Sequence, residues 1–188
     1  MSLENTFEFH KHFDLIGQHA FLSPSKYYWI NYDEDKLESV YFNFKAVQMG
    51  VRLHALASEH ILLGLKMPRS KKTLNMYIND AIGYRMIPEQ PLYYSEYCFG
   101  TADAIFFDGK ILRIHDLKTG SSPASIKQLE IYAAIFCLEY NVDPNEIEIE
   151  LRIYQLDEVL VHSPDSEDIV FIMDRIKQFS KRISMFEQ

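Results

Sequence analysis

The sequence predicts an α/β or α+β chain: a central mixed β-sheet flanked by helices, with an N-terminal helical segment in front of it. Three observations carry this reading. Val47, Val51, His54/Ala55, Ser58 and Leu62 recur at helical spacing between about Lys36 and Leu65. From Met86 to Lys118 the apolar period changes from 3.6 to 2, as strands require. After a helix-like stretch from Ala124 to Tyr140, Ile147, Ile149, Leu151 and Ile153 alternate with Glu148, Glu150 and Arg152, and an amphipathic segment closes the chain.

Taken in order, Ser23-Pro24 before Lys26-Tyr27-Tyr28-Trp29-Ile30 predicts a short capped helix, with Ser23 as N-cap and Pro24 at the first helical position. The long helix from Lys36 is expected to end at Gly64 and Pro68, and a third helix over Lys71 to Ile82 at Gly83. Strands are predicted over Met86 to Phe99, Thr101 to Phe107 and Lys110 to Lys118. Asp108-Gly109, between the last two, is a strong two-residue hairpin signal. The helix from Ala124 should close at Asn141 and Asp143-Pro144. A turn near Asp157-Glu158 then divides the last strand region, and Ser166 to Met185 forms the final helix.

In 188 residues, no repeat or low-complexity linker divides the sequence, so a single domain over 1–188 is expected. The longest apolar runs, such as Ile61 to Leu65, fall far short of the roughly 20 residues that cross a bilayer. With Glu4 and Glu8 near the start and no apolar h-region, a cytoplasmic location without a membrane partner is expected. Cys98 and Cys137 are too few for a disulfide framework or a four-thiolate cluster and read as buried thiols. The formal net charge of -8 has the wrong sign for coating a polyanion with the whole surface. It does suit an enzyme that gathers carboxylates around a cation, beside a local basic strip.

If the turn at Asp108-Gly109 pairs Phe107 with Lys110, Asp103 faces Ile114, and Asp103 and Asp116 become diagonal neighbours on one face. Two carboxylates about 7 to 8 Å apart at their Cα atoms on an apolar sheet ask for a cation. Lys118, two residues past Asp116, emerges on that same face. Mg²⁺ or Mn²⁺ held there could bind a phosphodiester oxygen and acidify a water, with Lys118 orienting the water. By itself, Asp-x-Lys at a strand end describes a surface ion pair as well as a catalytic one. Gln128 and Tyr132, four apart, share one side of the following helix. His115 should point to the sheet face opposite Asp116.

Gly100-Thr101-Ala102-Asp103, Asp116-Leu117-Lys118-Thr119-Gly120 and Gln128-x-x-x-Tyr132, in that order, resemble the PD-(D/E)xK nuclease superfamily, in particular its RecB-type and phage exonuclease branch. Gly50-x-x-x-His54 resembles that branch's helical histidine motif, and Leu22-Ser23-Pro24-Ser25 its N-terminal helix start. The resemblance covers about residues 22 to 155 and implies a restriction-endonuclease-like core. It further implies metal ligation by His54, Asp103, Asp116 and the Leu117 carbonyl, with Lys118 as catalytic lysine and Gln128 and Tyr132 facing the site. Glu89 stands where relatives carry a first-strand glutamate, in a supporting position behind the ligands. The activity implied is an Mg²⁺- or Mn²⁺-dependent DNA exonuclease of phage recombination, replication or repair. Its expected partners are a duplex end or single strand of DNA and a single-strand annealing or binding protein. A DNA-binding or assembly module that kept the fold without the activity is the alternative. With no four-cysteine set and no Walker motif, neither an iron-sulfur cluster nor a motor is expected. Thr119, Ser121 and Ser122, and the basic run Lys66, Arg69, Lys71 and Lys72, are candidate backbone contacts to DNA. Lys177, Lys181 and Arg182 add charge on the last helix.

Overall fold

A computed structural model describes residues 10–186. The chain divides into two compact units, at Val47/Gln48. In the first, a 3₁₀ turn at Phe13–Leu15 is followed by a 3₁₀ segment at Pro24–Asn31 and the opening of helix α1 (Glu34–Leu63). Phe21 packs edge-on against Tyr41, and Trp29 Nε1 donates to the Ser23 carbonyl at 3.0 Å. Ser23 does not act as the expected cap. Its hydroxyl pairs with Ser25 Oγ at 2.8 Å, and Lys26 leaves helical geometry (φ -110, ψ 43), so the first-turn amides are not aligned on Ser23.

The second unit is α+β. Helix α2 (Thr73–Gly83) is followed by strands β1 (Ile87–Ser95), β2 (Cys98–Phe107) and β3 (Ile111–Leu117), helix α3 (Lys127–Tyr140), strands β4 (Glu148–Gln155) and β5 (Glu158–His162), and helix α4 (Ser166–Ser184). The five strands lie in sequence order, all neighbours antiparallel except β3 and β4, which are parallel. A parallel pair needs a long crossover, and α3 supplies it, ending at Asn141 in the left-handed conformation (φ 54).

Each sheet face has its own apolar layer. On one, Leu112, Ile114, Leu151 and Ile153 pack against Leu129 and Ala133 of α3 and Ile169 of α4. On the other, Ala104, Leu117 and Tyr154 pack against Ala57 and Ile61 of α1 and Tyr77, Ile78 and Ala81 of α2. With both faces covered, β3 is buried without a break from Ile114 to Leu117, and its end carries Asp116 into the interior.

Three turns differ from expectation. The predicted strand Met86 to Phe99 is broken at Glu96-Tyr97, so Cys98 and Phe99 belong to β2; neither residue is a turn former that sequence would flag. At Asp108-Gly109, Phe107 pairs with Leu112 rather than Lys110. The Asp108 carboxylate accepts from the amides of Lys110 and Ile111, both at 2.9 Å, and this bonding builds a wider loop than the two-residue turn. The two-residue turn falls instead at Leu156-Asp157, both left-handed (φ 52 and 61), between the paired residues Gln155 and Glu158.

His115 is fully buried on the α2 face, as its position opposite Asp116 predicts, between the rings of Tyr84 and Tyr154. Tyr154 Oη donates to Asp80 Oδ2 at 2.7 Å, so at the 3.3 Å contact with His115 Nδ1 the imidazole is the donor. Its Nε2 is buried without a partner among the described residues. Burial, aided by Arg152 and Arg113, lowers the His115 pKa to about 3. The unfolded chain therefore takes up a proton near pH 6.5 that the folded chain refuses, so this residue removes stability as the pH falls from about 6.5 toward 3, by at most about 1.4 kcal/mol per unit. In urea unfolding at pH 7 and pH 4.5, His115→Phe is expected to lose less stability on acidification than the parent. Parallel losses would show that His115 is not the residue responsible.

Candidate metal centre

The β2–β3 ladder is shifted by two residues from the expected one and ends at the pair Ala104–His115, so Asp103 and Asp116 are the next residues on the two strands, just past the last pair. This corrects the diagonal placement. The slip is two residues, so it preserves face assignment, whereas a slip of one would have separated the two carboxylates. Between the pairs Pro88–Ala104 and Gln90–Ala102, the slot opposite Asp103 belongs to Glu89. Glu89, Asp103 and Asp116 therefore form a row across β1, β2 and β3. Glu89 holds its place with a left-handed backbone (φ 50), a conformation that costs a non-glycine residue about 1 to 2 kcal/mol.

α1 brings His54 to this row. Its Nδ1 lies 3.4 Å from Asp103 Oδ2, which also accepts from the Leu117 amide at 2.8 Å. One helical turn earlier, Gly50 lets the β3–α3 loop approach: a Cβ there would lie 2.8 Å from Thr119 Oγ1. His54, Glu89 and Asp103 each offer a ligand atom within 4.8 Å of the other two. Glu89 thus stands among the potential ligands, although the sequence pattern put it behind them.

Asp116 is nearly buried, and its two oxygens differ. Oδ1 accepts from Lys118 Nζ at 3.0 Å, while Oδ2 is buried with no hydrogen-bond partner among the described residues. Lys118 Nζ also donates to Gln128 Oε1 at 2.9 Å, which ties the start of α3 to the end of β3. Tyr132, one turn further, lies against Gly100: a Cβ on Gly100 would sit 2.9 Å from the ring. The structure thus brings Lys118, Asp116 and Gln128 into one hydrogen-bonded set beside the His54, Glu89 and Asp103 cluster.

The charges of the row act on one another. The hydrogen bond to Asp103 raises the His54 pKa above the ordinary imidazole range; the charges of Asp103, Glu89 and Asp116 add to this, and burial opposes it. Burial raises Asp116, with the Asp103 charge adding and Lys118 opposing. Burial and Asp103 likewise raise Glu89, opposed by His54. His54, Glu89 and Asp116 are each pulled toward a protonated state, the two carboxylates chiefly by burial and the imidazole chiefly by its hydrogen bond to Asp103, so the site favours added positive charge. A divalent cation would supply it. Carboxylate oxygens with one imidazole suit Mn²⁺ or Mg²⁺, and the unpartnered Asp116 Oδ2 is a further oxygen donor.

Two residues at the site carry no sequence signal. Tyr77, on the apolar stripe of α2, is held protonated by burial and by the charges of Asp103, Glu89 and Asp116. Gln155 straps the loop after Lys118: its Nε2 donates to the carbonyls of Gly120 at 2.6 Å and Ser122 at 2.7 Å, and its Oε1 accepts from Ala124 N at 3.1 Å. Thr119, Ser121 and Ser122 lie exposed on that loop. Lys66, Arg69, Lys71 and Lys72 lie on the segment between α1 and α2, where Lys66 and Arg69 line a shallow cavity with Asn79 and Asp80.

Compared with known proteins, the chain matches no family model, no curated protein and no solved structure. No helix among the described residues is long and apolar enough to cross a membrane.

Two outcomes follow from this geometry. Gly100→Ala is expected to destabilise the fold by about 1 to 3 kcal/mol through overpacking on the Tyr132 ring, and by much less in a Tyr132→Leu background. Equal losses in both backgrounds would separate the two positions. Mn²⁺ titration followed by calorimetry should show affinity falling about tenfold or more in Glu89→Gln and in Asp103→Asn. Unchanged affinity in both would remove the row as a cation site.

Proposed function

We propose that the chain is a divalent-metal-dependent deoxyribonuclease with a restriction-endonuclease-like core of the PD-(D/E)xK kind. On this reading it is an exonuclease of phage recombination, replication or repair, acting on a duplex end or a single strand with a single-strand annealing or binding protein as partner. The observation that carries the reading is Lys118: its ammonium is fixed on Asp116 and Gln128, at the edge of a three-carboxylate row. A surface ion pair would not need a buried, half-unpartnered aspartate, nor a third residue to aim the lysine.

His54, Glu89, Asp103 and Asp116 would hold the cation, with the Leu117 carbonyl as the further ligand that the sequence pattern implies. When bound, Mg²⁺ or Mn²⁺ supplies Lewis acidity to a phosphodiester oxygen and lowers the pKa of a coordinated water. The chain's own residues do the rest. Asp116 and Gln128 use two of the three ammonium hydrogens of Lys118, and the third is the donor for a water or a non-bridging phosphate oxygen. Lys118 thereby orients the water and offsets the negative charge that builds as its oxygen bonds to phosphorus. The bond from phosphorus to the leaving ester oxygen breaks, and that oxygen ends protonated. Gln128 keeps the ammonium from rotating away, and Tyr132, one turn further along α3, packs on Gly100.

The deciding assay uses end-labelled linear DNA and closed circular DNA with Mg²⁺, Mn²⁺ or chelator. Metal-dependent loss of the linear form alone is expected, and Asp116→Asn should abolish it. Lys118→Ala should lower turnover by 10³-fold or more, an order-of-magnitude expectation for a transition-state donor, while Mn²⁺ affinity stays within about threefold. Tight DNA binding without cleavage under every metal would establish the binding-module alternative instead.

A further inference from the structure

Helix α4 carries more apolar surface than its packing buries. Ile169 and Ile176 lie in the core layer shared with α3, with Ile172 and Met173 packed beside them. A second apolar line follows the neighbouring flank and stays in solvent: Phe171, Phe179 and Phe186 are 64%, 49% and 70% exposed. With Ile183, and with Ile131 of α3, the first two of these rings line an open groove of about 550 Å³ between α3 and α4. Single apolar side chains are ordinary on a protein surface, whereas a row of exposed rings beside a groove marks a surface that something covers.

The charges along the row describe what fits it. Asp168, Arg175 and Arg182 stand seven residues apart, two helical turns at each step, so they share this flank, and the first two line the groove. Glu167 and Asp168 make the first turn of α4 acidic, and Lys181 and Arg182 make the last turn basic. The helix dipole alone favours that order of charge, but it does not account for the bare rings in between. Two of those rings carry the cations: the Arg175 guanidinium lies 4.2 Å from the centre of Phe179, and that of Arg182 lies 5.1 Å from the centre of Phe186. A partner that satisfies both ends must be basic opposite Asp168, acidic opposite Arg182 and apolar between. Nucleic acid fails the first condition, because its phosphates would face Asp168. An antiparallel copy of α4 meets all three.

We infer that this flank is the interface of a symmetric dimer, in which the α4 helices of two copies pack antiparallel across a two-fold axis. With the axis between Arg175 and Phe179, Phe171 meets Ile183 of the second copy and Arg175 meets its Phe179 ring. Asp168 then reaches the Phe186 ring of the second copy, on which Arg182 rests. The surface is self-complementary, so every contact occurs twice. One helix flank and a turn of α3 make a small interface, and association in the micromolar range is expected. No residue of the candidate metal centre takes part, so the dimer stands or falls apart from the nuclease reading.

Sedimentation equilibrium over about 1 to 200 µM protein tests it, a range that brackets a micromolar dissociation constant. The apparent mass should rise with concentration from that of the 22.1 kDa chain toward twice that value. Phe171→Glu should weaken association about tenfold or more. Asp168→Arg and Arg182→Asp each set like charges together at both ends of the interface and should weaken it about tenfold, whereas the double variant restores opposite charges and should return to within about threefold of the parent. All three positions are exposed, so the variants should keep the circular dichroism of the parent, and Phe171→Glu decides the matter if a charge variant does not fold. A parent that is monomeric throughout, including one whose α4 flank takes DNA or a different protein, would overturn the inference. So would a dimer unmoved by Phe171→Glu, or single charge variants that weaken it with no recovery in the double one.

Discussion

Three carboxylates set level across neighbouring strands are the constraint around which this molecule is organised. Glu89, Asp103 and Asp116 come from neighbouring positions of β1, β2 and β3, and like charges so placed repel unless positive charge joins them. The surrounding contacts each answer that problem. His54 leans on Asp103, the Leu117 amide donates to the same oxygen, and Lys118 takes one oxygen of Asp116. The other Asp116 oxygen has no answer among the described residues.

The fold covers both faces of the sheet that carries these carboxylates. α2 and the second half of α1 lie over one sheet face, and α3 and α4 over the other. Asp116, the buried member, therefore acts in a medium of low polarizability, where a hydrogen bond or ion pair counts for more than it would in water, while Glu89 and Gln128 face solvent. Lys118 and Gln128 sit where β3 gives way to the crossover into α3, a transition that a parallel neighbour makes necessary.

Much of this was legible in the sequence. The period change from helix to strand and the crossover helix follow from apolar spacing, because burial on one side of a strand enforces it, and the two-residue spacing of Asp116 and Lys118 lets them meet. The turns were less legible. Asp108-Gly109 carries the composition of a tight hairpin, yet the aspartate carboxylate captures two amides and widens the loop; Leu156-Asp157 lacks that composition and adopts the tight geometry, held by Thr73 from a distant part of the chain. Local composition reports local preference, and in both places a side chain decided the outcome. Glu89, Tyr77 and Gln155 were obscured for a related reason. A left-handed glutamate, a buried tyrosine on an apolar stripe and a glutamine strap acquire their roles from what the fold sets beside them. The resemblance to nucleases located Glu89 but not its closeness to His54 and Asp103.

Beyond the last paired residue of β3, the Lys118 amide still donates to the main-chain oxygen of Tyr154, at 2.9 Å. That tether is peptide to peptide, so the neighbouring strand steadies the lysine's Cα without using any side chain of its own. Replacements along β4 that preserve the strand would leave the anchor intact, and this part of the machinery can drift in composition while holding the same point in space.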